Sequence, residues 1–138
     1  MGKLFNNDMF PYHLLVSKMI AKELCKLGVV LEEYNGSKRN EYITYGGKRY
    51  RIPTVEEVSG YLRYEWGIEC IVGYNEYDGI YHYEPVVYMY GKKLDYIDKC
   101  DDYENAMLEC VEYGVFYLVE KEKELDRQLG NSVDGSDV

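Results

Sequence analysis

Pro53-Thr54-Val55-Glu56-Glu57 is a helix start that admits few alternatives. Threonine takes the N-cap and the glutamate three residues on reaches back to the cap amide. The helix then runs to Trp66 and stops at Gly67. Val55, Val58, Tyr61, Leu62 and Trp66 recur at helical spacing and form its inward stripe. From Ile68 the helical period is gone. Ile68, Cys70, Val72 and Tyr74 alternate as one side of a strand, and Asn75 to Gly79 forms a turn. Ile80 to Tyr83 and Val86 to Tyr90 follow, broken by Pro85. Proline cannot donate to a ladder, so that strand lies at an edge or bulges there. Gly91-Lys92 turns the chain, and Lys93 to Ile97 returns as a further strand.

Asp101-Asp102-Tyr103-Glu104 opens the last helix. Asp101 and Glu104 have capping-box spacing, and acidic residues suit the positive end of a helix dipole. Tyr103, Ala106 or Met107, Cys110, Gly114, Tyr117 and Leu118 make its apolar stripe. The helix reaches Leu129, and its charged stretch from Glu120 to Arg127 projects into solvent. Helix, meander, helix is an α+β order: an antiparallel sheet of three to five strands with two helices on one face.

The N-terminal half adds a helix from Tyr12 to Leu27, ended by Gly28, and a short extended run over Val29, Val30 and Leu31. Residues 34–40 read as an exposed loop. Glu41–Tyr45 and Lys48–Ile52 flank Gly46-Gly47 as a hairpin, whose register decides whether Tyr42, Thr44, Tyr50 and Ile52 share a face. This layer either extends the sheet or covers its other face. A chain of 138 residues fits one domain, here residues 1–129, with 130–138 expected as a disordered tail.

No apolar run is long enough for a membrane span, and Met1 to Phe10 does not read as a signal peptide. The expectation is a cytoplasmic protein with reduced thiols at Cys25, Cys70, Cys100 and Cys110. The charge is divided unevenly. Residues 1–66 carry a net +2 and residues 67–138 a net -11, giving -9 in all. Such a field repels nucleic-acid phosphate and attracts basic partners.

Signatures of chemistry are sparse. His13 and His82 are the two histidines, and no close-spaced His/Cys pair announces zinc. Gly46-Gly47-Lys48 lacks the spacing and the following helix of a phosphate loop. Cys25 or Cys110 with His13 would make a Cys/His pair, but both cysteines read as helix core or flank. Asp95, Asp98, Asp101, Asp102, Glu104 and Glu109 crowd the last strand and helix start without EF-hand spacing, so capping and a solvated acidic face account for them. Lys38, Arg39, Lys48, Arg49 and Arg51 lie among Tyr42, Tyr45 and Tyr50, the ingredients of a single-strand binder. In an acidic chain they read better as a solvated hairpin. The element order matches the double-stranded RNA-binding domain, yet acids stand where that module needs cations.

The stretches Ile52-Pro53-Thr54-Val55, Gly60-Tyr61-Leu62-Arg63-Tyr64-Glu65-Trp66-Gly67-Ile68 and Asp101-Asp102-Tyr103-Glu104-Asn105-Ala106 resemble motifs of small uncharacterised proteins from Bacteroidetes genomes and their phages. Ala21-Lys22-Glu23-Leu24-Cys25-Lys26-Leu27-Gly28 is similar to a further segment of that group. This chain departs from it at Tyr61, where tryptophan is usual, and at Trp66, where histidine is usual. The resemblance implies a compact α+β accessory protein, phage-related or otherwise carried by a mobile element, and no assigned activity.

Seventeen tyrosines against three phenylalanines and one tryptophan are the outstanding composition. A ring with a polar tip suits half-buried sheets and interfaces. Tyr74, Tyr77, Tyr81, Tyr83, Tyr88 and Tyr90 on the meander are therefore the candidate interaction surface, with a protein partner or a second copy as occupant. The expectation is a non-catalytic interaction module with no cofactor and no metal. An acidic nucleic-acid mimic that blocks a defence nuclease, and a small enzyme or ligand carrier with a pocket between helices and sheet, are the alternatives.

Overall fold

The structure, a computed structural model, describes residues 14–94 and 97–136, with side chains through Leu129. Three helices, a two-strand hairpin and a three-strand antiparallel sheet pack around one core. The elements are α1 (Lys18–Lys26), β1 (Tyr42–Tyr45), β2 (Lys48–Arg51), α2 (Val55–Trp66), β3 (Ile68–Tyr77), β4 (Ile80–Met89), β5 (Lys92–Lys93) and α3 (Tyr103–Ser136).

The capping box on α2 is present in full. Glu57 N–H donates to the Thr54 hydroxyl at 3.1 Å, and Thr54 N–H donates to the Glu57 carboxylate at 3.0 Å. Gly67 ends the helix in the left-handed region at φ 65°. That conformation is what calls for glycine, and the exposed Tyr90 ring lies over the position, where a Cβ would push it aside. Trp66 does not join the inward stripe. It is 37% exposed, and its indole donates to the Tyr61 hydroxyl at 2.9 Å.

α1 begins later than its periodicity predicts. Ser17 caps it by accepting from Ile20 N–H at 3.2 Å. Leu14 to Val16 are instead extended and tied to the start of α2 by Val55 N–H to Leu14 O and Val16 N–H to Pro53 O. The expected start, Tyr12 and His13, lies outside the described residues. α3 also starts one residue on. Asp102, not Asp101, accepts from Asn105 N–H, at 2.7 Å, and Asn105 returns a side-chain bond at 2.8 Å. Val111 and Val115, absent from the predicted stripe, are fully buried there beside Cys110. The backbone of α3 continues past Leu129 to Ser136.

β3 and β4 form one unbroken ladder, Ile68↔Met89 through Tyr77↔Ile80. The predicted turn at 75–79 shrinks to Asp78-Gly79, both at positive φ as a two-residue hairpin turn requires. Pro85 causes no break and no bulge. Tyr83 exchanges both backbone bonds with Cys100, on the side away from β3. Two residues along, Pro85 turns its nitrogen to that same side, where β5 does not reach because it covers only Tyr88 and Met89. Lys93–Ile97 shortens accordingly to Lys92–Lys93, with Leu94 N–H bonded to Val87 O.

α2 and α3 lie on the face of this sheet that carries Ile68, Cys70 and Val87, all buried. Burying a side chain of this size contributes about 1.5–3 kcal/mol. Among the described residues the N-terminal layer does not cover the other face, where Ile71 is 46% exposed. α1 packs on α3 and β1, and the hairpin stays a separate sheet, joined by Glu32–Tyr34 along β2. Its register pairs Ile43 with Tyr50, so Tyr42 and Thr44 share their face with Arg49 and Arg51 rather than with Tyr50.

Candidate functional site

The core ends partway along the β3–β4 hairpin, and the hairpin does not. Residues paired directly across an antiparallel ladder point to the same face. Tyr74↔Tyr83 and Glu76↔Tyr81 thus extend the face that carries Cys70 and Val87, beyond the helices. There the rings meet. Tyr74 stacks on Tyr81 with centroids 5.0 Å apart and planes at 13°, and lies 4.9 Å from Tyr83. Tyr103, from the first turn of α3, meets Tyr83 edge-on at 6.1 Å. Such pairs stabilise by about 0.5–1.5 kcal/mol beyond area burial. Even so, Tyr74 is 58% exposed, Tyr81 56% and Tyr103 45%.

The remaining tyrosines of the predicted surface lie elsewhere. Tyr77 sits on the opposite face, donating to Glu84 at 2.9 Å with the Lys99 ammonium 4.4 Å from its ring. Tyr88 is half-buried on that face across from Glu69. Tyr90 occupies the turn before β5 at φ 50° and covers Gly67. Tyr103 is the residue that sequence reasoning missed. Its helical spacing places it in the α3 stripe, and only the approach of α3 to Tyr83 reveals its second role.

The acidic residues do not converge on one point. Asp102 is consumed as the α3 cap, Asp98, Glu104 and Glu109 are exposed, and Asp95 lies outside the described residues. Asp101, almost fully exposed, stands 3.8 Å from His82 Nδ1. Glu109 reaches Cys100, whose thiol is pushed up to about 11, first by burial and then by that carboxylate. Among the described residues no group of three His, Cys, Asp or Glu side chains is arranged to hold a metal ion.

Cys70 and Cys110 are core thiols. Burial pushes both up to about 12, and Cys110 Sγ lies 3.4 Å from Ile71 O. A cavity of about 350 Å³ between α3 and the end of the sheet is lined by Leu27, Trp66, Met89, Leu118 and Leu125, with Lys121 and Glu122 at its rim. Another, of about 270 Å³, lies between α1 and α2, but its Arg51 is already bonded to Glu57 at 2.8 Å and Glu32 at 3.1 Å. Neither gathers a nucleophile and a base. No protein-family model, curated protein or solved structure matches the chain. No helix among the described residues is long and apolar enough to cross a membrane.

Proposed function

We propose that this chain is a non-catalytic interaction module whose contact surface is the tyrosine cluster of Tyr74, Tyr81, Tyr83 and Tyr103. The observation that carries the reading is the stack of exposed rings where the hairpin outruns the core. Rings held by one another lose little entropy on binding, and tyrosine is enriched at interfaces. Glu76 stands directly across the ladder from Tyr81 at the border of the cluster, and residues 67–138 carry a net -11, so the partner is a protein segment rich in lysine or arginine, able to lay a cation over a ring. A second copy would bring the same acidic border to the same place, which argues against a symmetric dimer through this surface. The resemblance to phage-associated proteins makes an accessory role on a mobile element part of the proposal.

Affinity capture with the full chain and with Tyr74→Ser/Tyr81→Ser tests it. The expected result is a basic protein retained by the first, lost by the second and released by salt. Identical retention by both overturns the reading. A phosphate-mimicking surface fares less well, because Glu120, Glu122 and Glu124 alternate with Lys121 and Lys123 along α3, and Lys123 pairs with Glu120 at 3.7 Å.

A further inference from the structure

A concavity of about 250 Å³ between α1 and the first hairpin is lined by Lys18, Lys22, Arg39, Tyr42, Ile43 and Thr44. Lys18 and Lys22 stand four residues apart and share a helix face. Arg39 enters from the short 3-10 turn ahead of β1, and buried Ile43 forms the floor. The chain is rich in carboxylates, and Lys26, Lys48, Arg51, Arg63 and Lys123 each have one within 4 Å. Lys18, Lys22 and Arg39, like Lys38, Lys92 and Lys93, have none among the described residues, and these three are set apart by lining one hollow together. Three like charges around one hollow repel each other, and an anion placed among them relieves all three.

The surroundings narrow the anion. The Tyr42 ring is already engaged, by Tyr34 at 5.2 Å and by the Arg49 guanidinium at 4.9 Å, so it offers no open platform for a nucleobase. The net charge of -9 repels a long polyanion at a distance, while a compact one meets only the local cations. The volume falls below the roughly 300–1,000 Å³ of pockets for drug-sized ligands. A guanidinium fork and two ammonium groups suit the oxygens of a tetrahedral oxyanion. We infer that this hollow binds a phosphate group, as the free ion or as the head of a small phosphomonoester.

Titration calorimetry of the full chain at low ionic strength tests this with inorganic phosphate, glycerol phosphate and a short single-stranded oligonucleotide. Lys22→Gln/Arg39→Gln is the comparison, and since both side chains are exposed its circular dichroism should match the parent. The expected result is a dissociation constant of about 1 mM or tighter for a phosphate probe, weakened about tenfold or more in the double variant. The tighter of the two phosphate probes distinguishes free ion from headgroup. Absence of binding by both, or equal binding by the double variant, overturns the inference. So would an oligonucleotide that binds more tightly than either, or light scattering that finds self-association lost in the double variant.

Discussion

Gly114 lies in the middle of α3 with its Cα against α2. A Cβ there would stand 2.8 Å from Leu62 Cδ1 and 3.5 Å from Ile68 Cγ2, and both neighbours are fully buried. Helix propensity alone would reward alanine by about 1 kcal/mol. Overpacking a filled core costs about 1–3 kcal/mol. Gly114→Ala is therefore expected to lower stability by about 1 kcal/mol, read as a lower urea midpoint at unchanged slope. Glu57 gives a pH signature. The Arg51 guanidinium holds its carboxyl down from 4.5 to about 2. A depressed carboxyl stabilises the fold above its unfolded value, and that contribution is lost as pH falls from about 4.5 towards 2. Both partners are partly exposed, so screening reduces it to about 1 kcal/mol. Glu57→Gln should remove that much at pH 7 and flatten the acid limb of the stability profile. Caps were the most legible features of the sequence, because Thr54, Glu57 and Gly67 act through their immediate neighbours. By spacing Asp101 is the better cap, with Glu104 three residues on. The choice falls to Asp102 because Cys100 is fixed by its pairing with Tyr83, a contact no local pattern encodes.

At the scale of elements, polarity misled and pairing decided. Asn75-Glu76-Tyr77 reads as a turn, yet it continues β3 because Asn75 donates to Glu84 at 2.6 Å and Tyr74 stacks on Tyr81 across the ladder. Alternation along single strands could not sort the six meander tyrosines by face, since a sorting of both strands needs the register. The outer part of the hairpin lacks a helix beneath it. Amides of residues 73–84 should therefore exchange with deuterium well before those of 68–72 and 85–89, as read by mass spectrometry. Equal protection along the hairpin would mean that something else covers its end. Charge along α3 was legible as well. From Glu120 to Leu129 the side chains are exposed. Ending the chain after Glu124 should cost helix signal but shift the melting temperature by only a degree or two, a stability change of about 0.5 kcal/mol or less.

For the whole molecule, the α+β order was readable because two capped helices bracket a run of alternating strands. The docking of α1 and the first hairpin was not. An amphipathic helix announces that it will be buried, not which neighbour buries it. That placement on the helix side puts none of the described N-terminal elements on the other sheet face and concentrates the core around Leu62, Ile68, Val87 and Val111. Two thiols report on its integrity. With Cys70 and Cys110 buried and pushed up to about 12, alkylation at pH 8 should reach them only after opening, while 6 M urea should expose all four cysteines at once. Pro85 acts at this scale too. It is buried on the face that carries Cys70 and Val87, and its nitrogen turns to the gap between the Leu94 and Cys100 pairings. A residue with no N–H fills that gap without stranding a donor. Pro85→Thr would put an unpaired N–H and a hydroxyl into the core, and should lower stability by about 1–3 kcal/mol, read as a lower urea midpoint.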